Sequence, residues 1–161
     1  MRTKLLFAAL AAFSAAGAAE NPLWMRHCAI SPDGNTIAFC YKGDIYTVPS
    51  SGGNARQLTT NQAYDTNPIW SPDGQQIAFA SARQGSLDIY LVSKEGGTPK
   101  RLTTHSGNEI PITFTDTEHL LFKTYLMPDA SDMSFPSAQF PQVYEISVKG
   151  GRPQLFSSFP M

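Results

Sequence analysis

Few residues in this chain have the types and spacing that chemistry would need. His27, His105 and His119 stand far apart, with neither metal-ligand spacing nor a paired carboxylate motif. No G-x-S-x-G elbow, the turn that would present a nucleophilic serine, occurs anywhere. Asp33 and Asp73 suggest cation binding at first sight, but each sits in Ser-Pro-Asp-Gly, where turn chemistry accounts for an aspartate. A sialidase-type Asp box would place its glycine one residue later. The remaining reactive pair is Cys28 and Cys40, and whether they can bridge depends on strand register. If Ile30 pairs with Ala38, the two cysteines lie opposite one another; if Ile30 pairs with Ile37, they point to different faces. Their counterparts forty residues later are Pro68 and Ala80, so the fold does not require a bridge, and two buried free thiols are the alternative. The expected site list is therefore a conditional disulfide, with no catalytic, cofactor-binding or metal-binding residues.

The elements around these residues come from a repeat. Residues 31 to 39 read SPDGNTIAF and residues 71 to 79 read SPDGQQIAF. Each is followed by Asp-Ile-Tyr (Asp44 to Tyr46, Asp88 to Tyr90), a Gly-Gly pair (Gly52-Gly53, Gly96-Gly97) and a Leu-Thr-Thr (Leu58 to Thr60, Leu102 to Thr104). A worn third copy has Phe114 to Phe122 for its first half, one residue shorter, then Val143 to Ile146, Gly150-Gly151 and Gln154 to Phe156. Proline after serine presets a type I turn and the following glycine accepts positive φ, so SPDG reads as a hairpin. The Gly-Gly pairs punctuate a second strand-turn-strand connection. Each copy is then four short antiparallel strands, the last ending at QLTT or RLTT. A period in the 40 to 45 residue range with no helical periodicity or helix cap predicts an all-β, propeller-type fold of three four-stranded blades. The blades are expected at about 24–60, 64–104 and 110–157. Tyr46, Tyr90 and Tyr144 recur in the third strand and read as packing residues.

Residues 1 to 19 carry Arg2 and Lys4, an apolar run from Leu5 to Phe13 and small residues up to Ala19, the pattern of a cleaved export signal. The apolar run is shorter than the roughly 20 residues that span a bilayer. Without the signal, ten basic residues face thirteen acidic ones, a formal charge of −3. Scattered Lys and Arg on an acidic chain exclude a phosphate-binding face, so nucleic acid is not an expected partner. The expected product, residues 20–161, is exported to the periplasm or beyond, with no membrane span once the signal is removed.

Together SPDG-x-x-IAF, DIY, GG and RLTT resemble the WD40-like repeats of TolB and tricorn-type propellers, over residues 24 to 157. The opening, Pro22 to His27 leading into Ala29 to Gly34 and then Tyr41 to Tyr46, most resembles the start of exported bacterial tricorn-like serine peptidases of the S41 type. In those proteins the propeller follows the signal directly, whereas TolB-like proteins place a small α/β domain first, for which this chain has no room. The resemblance implies a non-catalytic propeller segment of a larger serine peptidase, guiding or filtering peptides and supporting assembly. It implies no cofactor, and its nucleophile and base would lie in domains beyond this segment. The alternative is a periplasmic TolB-like interaction scaffold without enzymatic activity; the propeller of a prolyl-oligopeptidase-like enzyme is a third class.

Closed propellers use roughly four to eight blades, so three leave open strand edges and two uncovered blade faces. Residues 1 to 161 are therefore expected to be the amino-terminal piece of a longer chain, whose remaining blades and catalytic domains are its first partners, alongside peptides or proteins. Two copies closing one six-bladed ring is the homo-oligomeric alternative. A compact, stable monomer in sedimentation would contradict both. In the third copy an insert, 123–141, combines three prolines with Leu126, Met127, Met133, Phe135 and Phe140. It reads as a loop folded on its own blade or as a docking segment for another subunit or a later domain.

Overall fold

A computed structural model describes residues 24–124 and 141–157, which are entirely strands and turns. The signal segment and most of the 123–141 insert lie outside the described residues. Twelve strands form three antiparallel sheets of four. The first holds β1 (Arg26–Ile30), β2 (Thr36–Tyr41), β3 (Asp44–Pro49) and β4 (Arg56–Gln57) in that order. Next come β5 (Asp65–Trp70), β6 (Gln76–Gln84), β7 (Ser86–Ser93) and β8 (Lys100–Arg101), again in order. β9 (Glu109–Phe114), β10 (His119–Thr124), β11 (Gln142–Ser147) and β12 (Gln154–Ser157) make the third. The sheets are the three expected blades, and their first strands β1, β5 and β9 lie side by side.

The SPDG turns close as the residue types dictate. Gly34 N–H donates to Ser31 O and Gly74 N–H to Ser71 O, both at 2.9 Å, with φ of 73° and 65° at the two glycines. The serine and aspartate add a lock that the turn rule alone does not require. Ser71 Oγ donates to Asp73 Oδ1 at 2.6 Å, Asp73 Oδ1 also accepts from Gln75 N, and Ser71 Oγ accepts from Gln76 N at 2.9 Å. Ser31 and Asp33 repeat this network. The serine hydrogen bonds, first among the causes, hold both aspartates below the usual carboxylate range. The worn third turn keeps the function with other residues: Asp116 Oδ1 accepts from Glu118 N and His119 N, and Thr115 Oγ1 donates to His119 O. His119 is thus a turn residue, its pKa raised by its hydrogen bond to Asp116.

Alternation along the central strands gives each blade two working faces. Ala38, Cys40, Ile45 and Leu58 of blade 1 pack against Ile77, Phe79, Tyr90 and Val92 of blade 2, with Trp70 beside them. The opposite face of blade 2, Ala78, Ile89, Leu91 and Leu102, packs against Phe114, Leu120, Phe122 and Ile146 of blade 3. Sheets covered on both sides explain why IAF and DIYLV are nearly continuous apolar runs. In each blade one phenylalanine stacks on the tyrosine directly across from it. Phe39–Tyr46, Phe79–Tyr90 and Phe122–Tyr144 have ring centroids 5.8, 5.9 and 5.8 Å apart. Packing, as expected, is what the recurring tyrosines do.

Two sequence expectations change. The fourth strand of blades 1 and 2 ends before Leu-Thr-Thr, at Gln57 and Arg101. Thr59 and Thr103 leave the strand because their hydroxyls accept the backbone N–H of Ile45 (2.9 Å) and Ile89 (2.8 Å), satisfying a buried donor at the start of the third strand. The pairing of β1 with β2 bears on the two cysteines, and it carries a bulge. Arg26 pairs with Cys40, Ala29 with Ala38 and Ile30 with Ile37, so His27 and Cys28 form an irregular stretch in β1. This is the register that sends the cysteines to different faces. Both are free: Cys28 is exposed, and Cys40 is buried with its thiol donating to Asp65 O at 3.0 Å. Burial, the leading cause, raises the Cys40 pKa. β5 carries the same irregularity at Asn67 and Pro68.

Candidate functional site

β3 begins with Asp44, Asp88 lies two residues into β7, and the first strands of blades 2 and 3 begin with the acids Asp65 and Glu109. These four residues, Asp44, Asp65, Asp88 and Glu109, come together with Thr59, Thr103, Arg83 and Arg101 between the blades. Asp65 and Asp88 are fully buried and Glu109 is 1% exposed. A buried carboxylate needs a cation or hydrogen-bond donors to remain ionised. The two junctions supply these differently.

Between blades 1 and 2, Arg83 Nη2 lies 2.8 Å from Asp65 Oδ2. Its guanidinium carbon is 5.5 Å from the Phe79 ring centroid and 5.1 Å from that of Tyr90. A planar cation on aromatic faces with a carboxylate at its edge is the arrangement for which arginine is best suited. Asp65 also ties the junction through its backbone, since its N–H donates to Gly43 O at 2.7 Å. Asp44 accepts from Gln57 and Thr59, and burial, the largest cause, still raises its pKa.

Between blades 2 and 3, Arg101 Nη2 sits 2.9 Å from Asp88 Oδ2. The contact is ionic without hydrogen-bond alignment, for both Asp88 carboxylate oxygens lack a hydrogen-bond partner among the described residues. Glu109 occupies the place of Asp65: Asp65 pairs with Ser81, two residues beyond Phe79, and Glu109 pairs with Thr124, two beyond Phe122. Among the described residues no guanidinium forms an ion pair with it. Its Oε2 and the Thr124 Oγ1 are buried and unpartnered among the described residues. Burial pushes the Glu109 pKa from 4.5 to about 7, against a hydrogen bond from Thr103 and the charge of Arg101 that pull it down. Glu109 opens on a cleft of about 440 Å³, also lined by Thr103, His105, Phe122, Thr124, Tyr144 and Arg152.

The histidines stay apart. His27 lies in the β1 bulge, exposed, and its Nδ1 is 3.1 Å from the Asn67 amide of the neighbouring first strand. His105 accepts the Gly107 N–H at its Nδ1 at the cleft wall. Among the described residues no three His, Cys, Asp or Glu side chains are grouped to hold a metal ion, and no helix is long and apolar enough to cross a membrane. The chemistry this arrangement offers is recognition of positive charge between blades. Sequence reasoning passed over Asp65, Arg83, Asp88, Arg101 and Glu109. The recurring Asp of DIY and Thr of LTT signalled the first two carboxylate positions on third strands, but nothing local marks Glu109.

Comparison with known proteins agrees with this architecture. The family model of the tricorn protease N-terminal β-propeller domain matches residues 22–160. Tricorn protease homolog 1 of Streptomyces coelicolor is 35% identical over 72 residues, 45% of this chain and 7% of that protein. A TolB-type structure from Agrobacterium tumefaciens superposes with a TM-score of 0.69 at 26% identity, over 83% of this chain and 49% of its own. The tricorn protease structure gives 0.60 at 17% identity, over 81% of this chain and 14% of its own, which speaks to the fold alone. The chain thus spans less than half the length of these proteins. With nearly the whole of its strand-forming sequence matched, the chain belongs to the tricorn protease N-terminal β-propeller domain family.

Proposed function

We propose that this propeller is the non-catalytic, peptide-guiding segment of a larger exported tricorn-like serine peptidase, working with further blades and catalytic domains of the same protein. The observation that carries the reading is the combination of a tricorn-type propeller with interblade charge sites and no nucleophile-base pair among the described residues. Apolar side chains exposed on the edge strands β1 and β12, Ile30 at 61%, Leu155 at 54% and Phe156 at 58%, fit continuation of the assembly beyond three blades. The signal-like residues 1 to 19 support the exported location in this reading.

The test is to tag the protein in its native host, isolate it from the cell envelope, and assay hydrolysis of fluorogenic peptides with and without a serine-directed inhibitor. Inhibitor-sensitive hydrolysis that co-purifies with the tag, and is absent from the 161-residue chain expressed alone, is the expected result. Purification with envelope proteins but no peptidase activity would favour the TolB-like scaffold, which the 26% identity to the Agrobacterium structure also supports. Hydrolysis by the 161-residue chain itself would overturn both readings.

A further inference from the structure

The blade 1–2 junction shows what the blade 2–3 junction lacks. In the first, a stacked Phe79–Tyr90 pair and the Asp65 carboxylate hold the guanidinium of Arg83. In the second, the Phe122–Tyr144 pair has the same geometry, with centroids 5.8 Å apart and planes at 24°, against 5.9 Å and 26° for Phe79–Tyr90. Glu109 stands at the register position of Asp65, 1% exposed, with Oε2 unpartnered among the described residues, and it lines an open cleft. Arg101 is engaged by Asp88. The chain has no Lys, Arg or His from residue 124 to residue 148, so the insert leaving β10 has no cation to offer. The cleft lies on the blade 3 face that looks toward blade 2, away from the side on which a further blade would stack.

We propose that the cleft between blades 2 and 3 is a binding site for one arginine side chain of a peptide, its guanidinium laid on Phe122 and Tyr144 and donating to Glu109 and Thr124. The internal copy supplies the template, with Arg83 as the built-in ligand of its own junction. Glu109 is needed as the carboxylate, so arginine binding and loss of its proton are coupled, and the affinity rises with pH through about 7. Facing Glu109 are Asp88 of β7, Arg101 of β8, His105 of the following loop, Tyr144 of β11 and Arg152 ahead of β12. Exposed Arg152, among the described residues, is a competing cation in the cleft lining. The site goes beyond the peptide-guiding role and stands on its own geometry, whatever domains accompany the propeller.

The experiment is calorimetric titration of the protein with acetyl-Gly-Arg-Gly-amide and with the same peptide carrying citrulline, which keeps the shape and removes the charge. Expected at pH 8 is binding of the arginine peptide about tenfold or more tighter than the citrulline peptide, falling by a similar factor at pH 5.5. Glu109→Gln and Tyr144→Leu each lose about tenfold or more, while Arg152→Ala tightens binding. A His105→Asn variant removes the cleft imidazole from the pH profile and should leave the rise intact. Folding of each variant is checked by circular dichroism, and Glu109→Gln, nearly isosteric, is the decisive one. Equal binding of both peptides, no heat from the arginine peptide at pH 8, or undiminished affinity in folded Glu109→Gln would each overturn the proposal. Loss of peptidase activity in the parent protein has no bearing on these readouts, so failure of one reading is distinguishable from failure of the other.

Discussion

The two interblade junctions are built from the same repeat and solve the same electrostatic problem differently. At the first, an acid on β5 meets Arg83, and the ion pair is wrapped in aromatic rings with its arginine side chain only 12% exposed. At the second, the arginine stands on β8 and pairs with the β7 aspartate, and the β9 acid, with a hydrogen bond from Thr103 but no ion pair among the described residues, is pushed toward its neutral form by burial. The apolar packing is conserved between junctions while the charge pairing is not. Packing is set by the two-residue period of the strands, which every copy obeys. Pairing depends on one long side chain per junction, Arg83 on β6 at the first and Arg101 on β8 at the second.

The largest test of this contrast is Asp65→Ala. It leaves the Arg83 charge uncompensated between blades, and a loss of about 3–5 kcal/mol is expected in urea unfolding. A loss under 1 kcal/mol would mean that the aromatic stack, and not the ion pair, holds Arg83. The second junction should respond in the opposite sense. Because the folded pKa of Glu109 is raised above its ordinary 4.5, its contribution is fully present below pH 4.5 and fades as pH rises through about 7. Glu109→Gln should therefore flatten the pH dependence and stabilise the protein at pH 8 by up to about 3 kcal/mol. An unchanged slope between pH 5 and 8 would show that Glu109 is ionised at no cost.

A matched pair sharpens the comparison where the junctions agree. Thr59→Val and Thr103→Val each strip the acceptor from a buried backbone N–H, and each should cost about 1–3 kcal/mol by thermal or urea denaturation. Clearly unequal losses would extend the difference between junctions from charge to backbone. The smallest effect belongs to the turns. Ser71→Ala removes the hydroxyl that bridges Asp73 and Gln76, for about 1 kcal/mol. Thr115→Ala, in the worn turn where Asp116 accepts the backbone directly, should cost less.

Some of this was legible in the sequence because its causes are local. SPDG and Gly-Gly specify turns through the φ preferences of four residues, IAF and DIY specify strands through their side-chain types, and a fixed period makes blades of them. That is enough for three four-stranded sheets in the right order, and for the Phe–Tyr stacks that follow from register. The fates of Cys28 and Glu109 needed the tertiary structure. Ile30 pairs with Ile37 and not with Ala38, the register that keeps the cysteines apart, and a bulge at His27 and Cys28 adds to the irregularity of β1. Whether an acid finds a cation is decided between strands, as where Asp65 of β5 meets Arg83 of β6 and Asp88 of β7 meets Arg101 of β8. Turn geometry is a property of adjacent residues, whereas desolvation and charge pairing are properties of the space that packed blades enclose, and only the folded arrangement defines that space.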